Sequence, residues 1–243
     1  FEKDIEWELF DVRGSGEVPG LDFDIYVSTG GPGSPHDGDG IWDARYYQLL
    51  TALWDWNANP EHSRKFVLYI CHSYQMACKH FQVGAVTRRR STSFGTFPVH
   101  MTDAGLREAV FNGLPDPFYV ADFRDWQVIQ PNVERLEEMG AEILALEKIR
   151  PHVPLERAMM AIRFSPEMLG VQFHPEADSE GMLKHFSDPK RRAKIVADHS
   201  EDKYQEMIDH LGDPDKIGLT HDLVIPQFLR AALQQLASIP IMA

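Results

Sequence analysis

Cys71 ends a short apolar run, Phe66-Val67-Leu68-Tyr69-Ile70, and opens a helix-like one, His72-Ser73-Tyr74-Gln75-Met76-Ala77-Cys78. Far downstream a second apolar run, Leu169-Gly170-Val171-Gln172-Phe173, leads into His174-Pro175-Glu176. One strand delivers a thiol to the mouth of a helix; another delivers an imidazole and a carboxylate together. Those are the parts of a cysteine-nucleophile hydrolase. Unpaired N–H groups and the helix dipole stabilise a thiolate at a helix N-terminus. Residues two apart in an extended segment share a side, and Pro175 keeps the residue before it extended. Glu176 can then hold one imidazole nitrogen of His174 while the other faces the thiol. Taken singly, Cys71 reads as a core residue and His-Pro-Glu as a satisfied loop; their combination predicts the chemistry.

A third element is Gly30-Gly31-Pro32-Gly33, whose backbone N–H groups can approach an oxyanion closely because no side chains intervene. Standing alone it is an ordinary strand-to-helix turn. A phosphate loop is excluded, since neither G-x-x-x-x-G-K-[ST] nor G-x-G-x-x-G occurs. Asp37-Gly38-Asp39-Gly40 is too short for a calcium loop and reads as a polar turn. No metal or other cofactor is expected.

The elements that must position these residues read as an α/β fold. Ile5 to Val12 reads as a strand, and Phe23 to Val27 as a stronger one ending in the glycine loop. Trp42 to Trp56 carries a helical apolar period through Tyr46, Leu49, Leu50, Leu53 and Trp54. Phe66 to Ile70 is apolar throughout, as a strand buried on both faces must be. The succession predicts a doubly wound, mostly parallel central sheet flanked by helices, flavodoxin-like. Val83 to Met101 reads as short strands in a meander, and Asp103 to Phe111 as a helix capped by Thr102 or Asp103. Phe118 to Val120, Glu142 to Leu146, Ala158 to Phe164 and Leu169 to Phe173 read as further strands. From about Ser179 the chain turns polar and helical, with a loop at Gly212-Asp213-Pro214. A last amphipathic helix carries Ile225, Phe228, Leu229, Ala232, Leu233 and Leu236 as one stripe, expected to dock on the domain's own sheet. The division expected is an α/β domain over 1–180 and a helical extension over 181–243.

Composition excludes several functions. Net charge is −13 over 243 residues, a surface that repels phosphate backbones, so no nucleic-acid partner is expected. Arg88-Arg89-Arg90 reads as a solvated loop or strand end. No run of about 18 apolar residues exists, so no membrane span is expected. Two cysteines make no disulfide framework, which fits a reducing cytoplasm, and Cys78 reads as a small core residue.

Three segments in this order resemble the class I (triad) glutamine amidotransferases: Gly30 to Pro35, Cys71 to Gln75 and Gly170 to Glu176. With their spacing they cover roughly residues 8 to 180. The resemblance implies hydrolysis of the glutamine side-chain amide to glutamate and ammonia through a cysteinyl thioester, the ammonia passing to a separate synthase subunit or to solution. It implies Cys71 as nucleophile, His174 as base and Glu176 as its orienter. The backbone N–H groups of Gly31 and His72 would form the oxyanion hole. Gln75 would help hold the substrate's glutamine end, with Asp125 and Trp126 as further substrate contacts in a loosely matching segment where Arg124 replaces the usual His.

Three departures stand out. The family pattern G-x-C-x-G-x-Q has glycines where this chain has Tyr69 and Ser73, and bulky Tyr69 predicts a reshaped pocket or a divergent substrate. Family members also begin with a strand and helix, the strand lying inside the sheet, before the segment matching Ile5 to Val12. An upstream unit of roughly 30 residues is therefore expected before Phe1. With no synthase domain attached, an alternative is an autonomous γ-glutamyl hydrolase or transferase acting on γ-glutamyl amines or peptides. A non-catalytic module that keeps the fold is a third reading, opposed by the complete Cys-His-Glu set.

Overall fold

Five consecutive apolar residues at 66–70 are buried on both faces, and the fold is built around that strand. The computed structural model describes residues 5–238. The first half contains β1 (Ile25–Ser28), α1 (Trp42–Ala58), β2 (Phe66–Ile70), α2 (His72–Phe81), β3 (Ala85–Met101), β4 (Phe118–Ile129) and α3 (Val133–Met139). The second contains β5 (Glu142–Glu147), β6 (Met159–Ser165), β7 (Met168–Val171), α4 (Ser179–Phe186), α5 (Pro189–Asp198), α6 (Glu201–Leu211) and α7 (Leu219–Ala237). The ends of the two expected domains, residues 1–4 and 239–243, lie outside the described residues.

The strands form one sheet in the order β1-β2-β7-β6-β5-β3-β4. Only β1–β2 and β2–β7 are parallel; the other four pairings are antiparallel. The sheet is thus mixed, which corrects the expectation of a mostly parallel one. The physical reason is in the connections: Pro166 and Glu167 alone join β6 to β7, and so short a link can only reverse the chain. Apolar clusters cover both faces. One packs α1 and α2, through Tyr46, Leu50, Leu53, Tyr74 and Phe81, against Val67, Tyr69 and Phe164. The other packs Val224, Phe228 and Ala232 of α7 against Leu68, Ile70, Phe118 and Phe173. Ile225, Leu229 and Leu236 join that contact, so the last helix docks on its own sheet, as its stripe predicts.

Several local readings change. Ile5 to Val12 forms no strand; Trp7 and Leu9 stand 82% exposed, without a sheet partner to bury them. Within Val83 to Met101, Ala85–Met101 is one long strand paired with β4 rather than a meander, with an irregularity between Arg88 and Ser93. Asp103 to Phe111 holds two short 3₁₀ turns, Gly105–Arg107 and Ala109–Phe111; Ala104 stands at the cap of the first, and the Thr102 hydroxyl accepts from the Gly105 N–H at 3.1 Å. Arg88 and Arg90 are exposed, but Arg89 is tucked in against Glu147 at 2.9 Å. β1, β2 and β7 are contiguous, so no empty slot interrupts these strands; β1 and β4 are the two outer strands of the sheet. No helix among the described residues is long and apolar enough to cross a membrane.

Gly170, in the centre of β7, lets α2 sit close on the sheet. A Cβ there would meet Tyr74 Cδ2 at 2.6 Å and Phe164 Cε2 at 2.7 Å. Gly170→Ala is expected to lower stability by about 1–3 kcal/mol through overpacking, read as a lower urea midpoint at unchanged slope. An unmoved midpoint would contradict this packing.

Candidate active site

The strand β2 ends at a sharp elbow. Cys71 has φ 52° and ψ −102°, a region that residues with a Cβ seldom occupy, and α2 begins at the next residue. Three bonds hold the elbow. The Cys71 N–H donates to the Val171 carbonyl at 2.8 Å, the Ile70 N–H donates to Ser73 Oγ at 2.8 Å, and Ser73 Oγ donates to the Ser28 carbonyl at 2.5 Å. Ser73, where the resembling family has glycine, therefore ties the elbow to the end of β1. Tyr69 points into the core, edge-on to Phe164 at 5.9 Å, and does not line the cleft at Cys71.

After β7 the chain carries His174 to the same rim, where its N–H donates to the Ala121 carbonyl of β4 at 3.0 Å. His174 Nδ1 lies 2.7 Å from Glu176 Oε1, and the imidazole borders the cleft beside the Cys71 thiol. Burial alone would lower the pKa of His174. The hydrogen bonds to Cys71 and Glu176, with their charges, outweigh it and raise the value to about 10. The imidazole thus keeps its proton at neutral pH. A thiol, an imidazole and a carboxylate in this relation can attack a carbonyl carbon and protonate a leaving group.

Gly30 fits against this pair: a Cβ there would lie 3.0 Å from His174 Cε1 and 3.2 Å from Cys71 Cβ. Arg13 braces the glycine loop, donating from Nη1 to the Pro32 carbonyl at 2.5 Å with its guanidinium over the Trp42 ring at 5.3 Å. Neither the Gly31 nor the His72 backbone N–H donates to another described residue, which leaves two donors beside the thiol. The His72 side chain is buried, which lowers its pKa, against the effect of a bond with the Ser34 backbone.

The cleft has a volume of about 540 Å³. Gly31, Pro32, Cys71, His174 and Glu176 form one side; Phe123, Met182, His185 and Phe186 form an apolar-rich wall opposite them. Asp178 also borders the cleft and caps α4, accepting from the Gly181 N–H at 2.6 Å. The wall residues of α4 were not legible as site residues; the only hint is the spacing of Met182 and Phe186 on one helix face. The other sequence-derived candidates lie elsewhere. Gln75 is buried behind the elbow, donating to Gln172 and to the Trp126 carbonyl. Asp125 is exposed and accepts from the Thr92 hydroxyl, and the Trp126 ring packs on His36 at 5.0 Å. Neither borders the cleft. Arg124 is buried in ion pairs with Asp122 at 2.8 Å and Glu147 at 3.4 Å. No group of three or more metal-ligating side chains occurs among the described residues.

The family profile for class-I glutamine amidotransferases matches residues 16–188. Among solved structures, a glutamine amidotransferase from Thermotoga maritima superposes with a TM-score of 0.65 at 17% identity, covering 98% of this chain and 89% of that one. A glutamine amidotransferase from Methylobacillus flagellatus gives 0.51 at 16% identity, covering 86% and 72%. At these identities the likeness is one of fold. No curated protein matches the sequence.

The proton on His174 makes two measurable differences. Its folded value lies above the ordinary 6.5, so its stabilisation is complete below that pH and is lost as pH rises through about 10. The stability difference between wild type and His174→Asn, from urea unfolding, is expected to shrink across that window. Gly30→Ala, by pressing on both partners, is expected to slow alkylation of Cys71 at neutral pH about tenfold or more.

Proposed function

The chain belongs to the class-I glutamine amidotransferases, whose profile spans most of its length, and on that premise we propose that it hydrolyses the side-chain amide of glutamine at Cys71. The observation that carries this reading is the meeting of Cys71, His174 and Glu176 in one cleft, with the imidazole bonded to the carboxylate at 2.7 Å. The Cys71 thiolate attacks the amide carbon. The oxyanion that forms is met by the N–H groups of Gly31 and His72, each donor contributing about 3–4 kcal/mol to the transition state. The His174 imidazolium gives its proton to the amide nitrogen, the C–N bond breaks, and ammonia leaves a γ-glutamyl thioester. Water then attacks the thioester, passing a proton to His174; the C–S bond breaks and glutamate is released. Glu176 holds the imidazole with one nitrogen toward the sulfur throughout. The ammonia passes to a separate synthase subunit.

The width of the cleft favours a second reading. About 540 Å³ with a wall of Phe123, Met182 and Phe186 has room for an apolar group beyond the γ-carbonyl. On this reading the substrate is a γ-glutamyl amine or peptide, processed by the same steps with an amine as leaving group. Rates on glutamine and on γ-glutamyl anilides separate the two; equal or faster turnover of the anilides sinks the glutamine reading.

The central test combines turnover and labelling. Wild type is expected to release glutamate and ammonia from glutamine and to be labelled at Cys71 by a glutamine-analogue chloroketone. Cys71→Ser is expected to lose at least about 10³-fold in kcat, and Glu176→Gln on the order of 10²-fold. Absence of both labelling and turnover in folded wild type removes the proposal.

A further inference from the structure

The side-chain amide of Gln172 faces the sulfur of Cys71, and its neighbours leave it no other orientation. β2 and β7 run parallel with Ile70 opposite Val171, so the next residues, Cys71 and Gln172, stand side by side. Gln172 is wholly buried, and its Nε2 lies 3.8 Å from Cys71 Sγ. The identity of that atom follows from the groups behind it. Gln75 presents one side-chain atom both to the Trp126 carbonyl, at 3.3 Å, and to Gln172, at 3.1 Å. A backbone carbonyl only accepts, so this Gln75 atom is its NH₂ group. That group needs an acceptor on Gln172, which places Gln172 Oε1 toward Gln75 and Nε2 toward the sulfur. Arg124 Nη1 donates to the same Trp126 carbonyl at 3.2 Å and is itself fixed by Asp122 and Glu147.

We propose that Gln172 is a hydrogen-bond donor that stabilises the Cys71 thiolate, and that Gln75 is a positioning residue that fixes the direction of that donor. This deepens the function proposed above and rests on it for the role of Cys71. An N–H donor is worth more to an anion than to a neutral thiol, and more again where water is excluded. The bond therefore favours the reactive form, in addition to the His174 imidazolium. Gln75, buried and outside the cleft lining, acts on the reaction through Gln172.

The test is the pH dependence of Cys71 alkylation by iodoacetamide in the intact protein, with the modified residue located by mass spectrometry. Cys78 is fully buried and burial pushes its thiol up, so the reaction reads Cys71, and Cys71→Ser gives the background. Gln172→Leu is expected to move the midpoint of the rate profile up by about one pH unit, about a tenfold slower reaction below both midpoints. Gln172→Glu, nearly isosteric, is expected to move it further in the same direction. Gln75→Met is expected to give a smaller shift of the same sign. In wild type, with no substitution, the Gln172 side-chain amide protons are expected to move downfield in NMR spectra through the same pH range as the alkylation midpoint. Unmoved midpoints in any folded Gln172 variant, or amide protons indifferent to that titration, overturn the proposal. Glutamine turnover by wild type is measured in parallel. No turnover with the shifts present removes the functional reading alone, and turnover with unmoved midpoints removes the role of Gln172 alone.

Discussion

The backbone at Cys71, φ 52° and ψ −102°, costs on the order of 1–3 kcal/mol wherever a side chain occupies it. The rest of the site follows from the need to hold that conformation. A strand free to slide would relax it. β2 cannot slide, because it is buried on both faces and paired in register with β1 on one side and β7 on the other. Ser73 closes the turn by joining the Ile70 N–H to the Ser28 carbonyl, so three consecutive pieces of the site, β1, the elbow and α2, move as one. The strain aims the sulfur out of the sheet at the carboxyl ends of the parallel strands. There the glycine loop after β1 and the His-Pro-Glu segment after β7 also emerge. Register thus does the work of convergence: once Ile70 stands opposite Val171, Cys71 must adjoin Gln172, and His174 must reach the same rim.

Charge inside the sheet supports the rim from behind. Arg124, Arg89 and Arg150 all reach the buried Glu147. Burial opposes its charge, but the three guanidinium groups hold its carboxyl below the usual range. Breaking such a cluster by removing one partner is far costlier than never having built it, since an unpaired charge is left in a dry interior. The cluster pins β3, β4 and β5 together and fixes the carbonyl of Trp126, against which Gln75 is set. A residue that departs from the resembling family, Arg124, therefore belongs to the sheet's own architecture. It gives no ground for reading the cleft as inactive.

The sequence placed the thiol, the imidazole and the carboxylate better than it placed the strands around them. Cys71, His174 and Glu176 were legible because each sits at the end of an unmistakable apolar run, and because a Pro between His and Glu restricts where they can point. The final helix was legible too, since its stripe of Ile225, Phe228, Leu229 and Ala232 has only one face to bury. The mixed sheet was not, because apolar runs give strand positions without direction. Direction here is decided by links as short as Pro166-Glu167. The long β3–β4 pair is hidden for a related reason: charged and polar residues at 87–93 and 122–127 interrupt its apolar pattern, and Arg89, Thr92 and Ser93 find partners across the strands in Gln127, Asp125 and Asp122. Gln75 illustrates the opposite error. Its place one turn beyond the thiol pointed to the substrate, but helix position alone does not say which side of the elbow a side chain takes. Here it turns inward.

The cleft combines parts of unequal rigidity, and that bears on what can vary. The thiol, the imidazole and the two free N–H groups are fixed by strand register and by the strained elbow. The opposite wall comes from α4, an eight-residue helix that follows the His-Pro-Glu segment directly. Its placement depends on Asp178 at its N-terminus and on the packing of Phe186 with Phe94 and Phe123 of the β3–β4 hairpin. These contacts lie in a third apolar cluster, apart from the two that sandwich the sheet. Substitution at Met182 or His185 can therefore alter the shape of the cleft without disturbing the register that places the thiol. The groups around the thiol and the wall facing them thus belong to different layers of one fold. The first are held by strand register and the strained backbone at Cys71, and the second by side chains of α4 packed in their own apolar cluster.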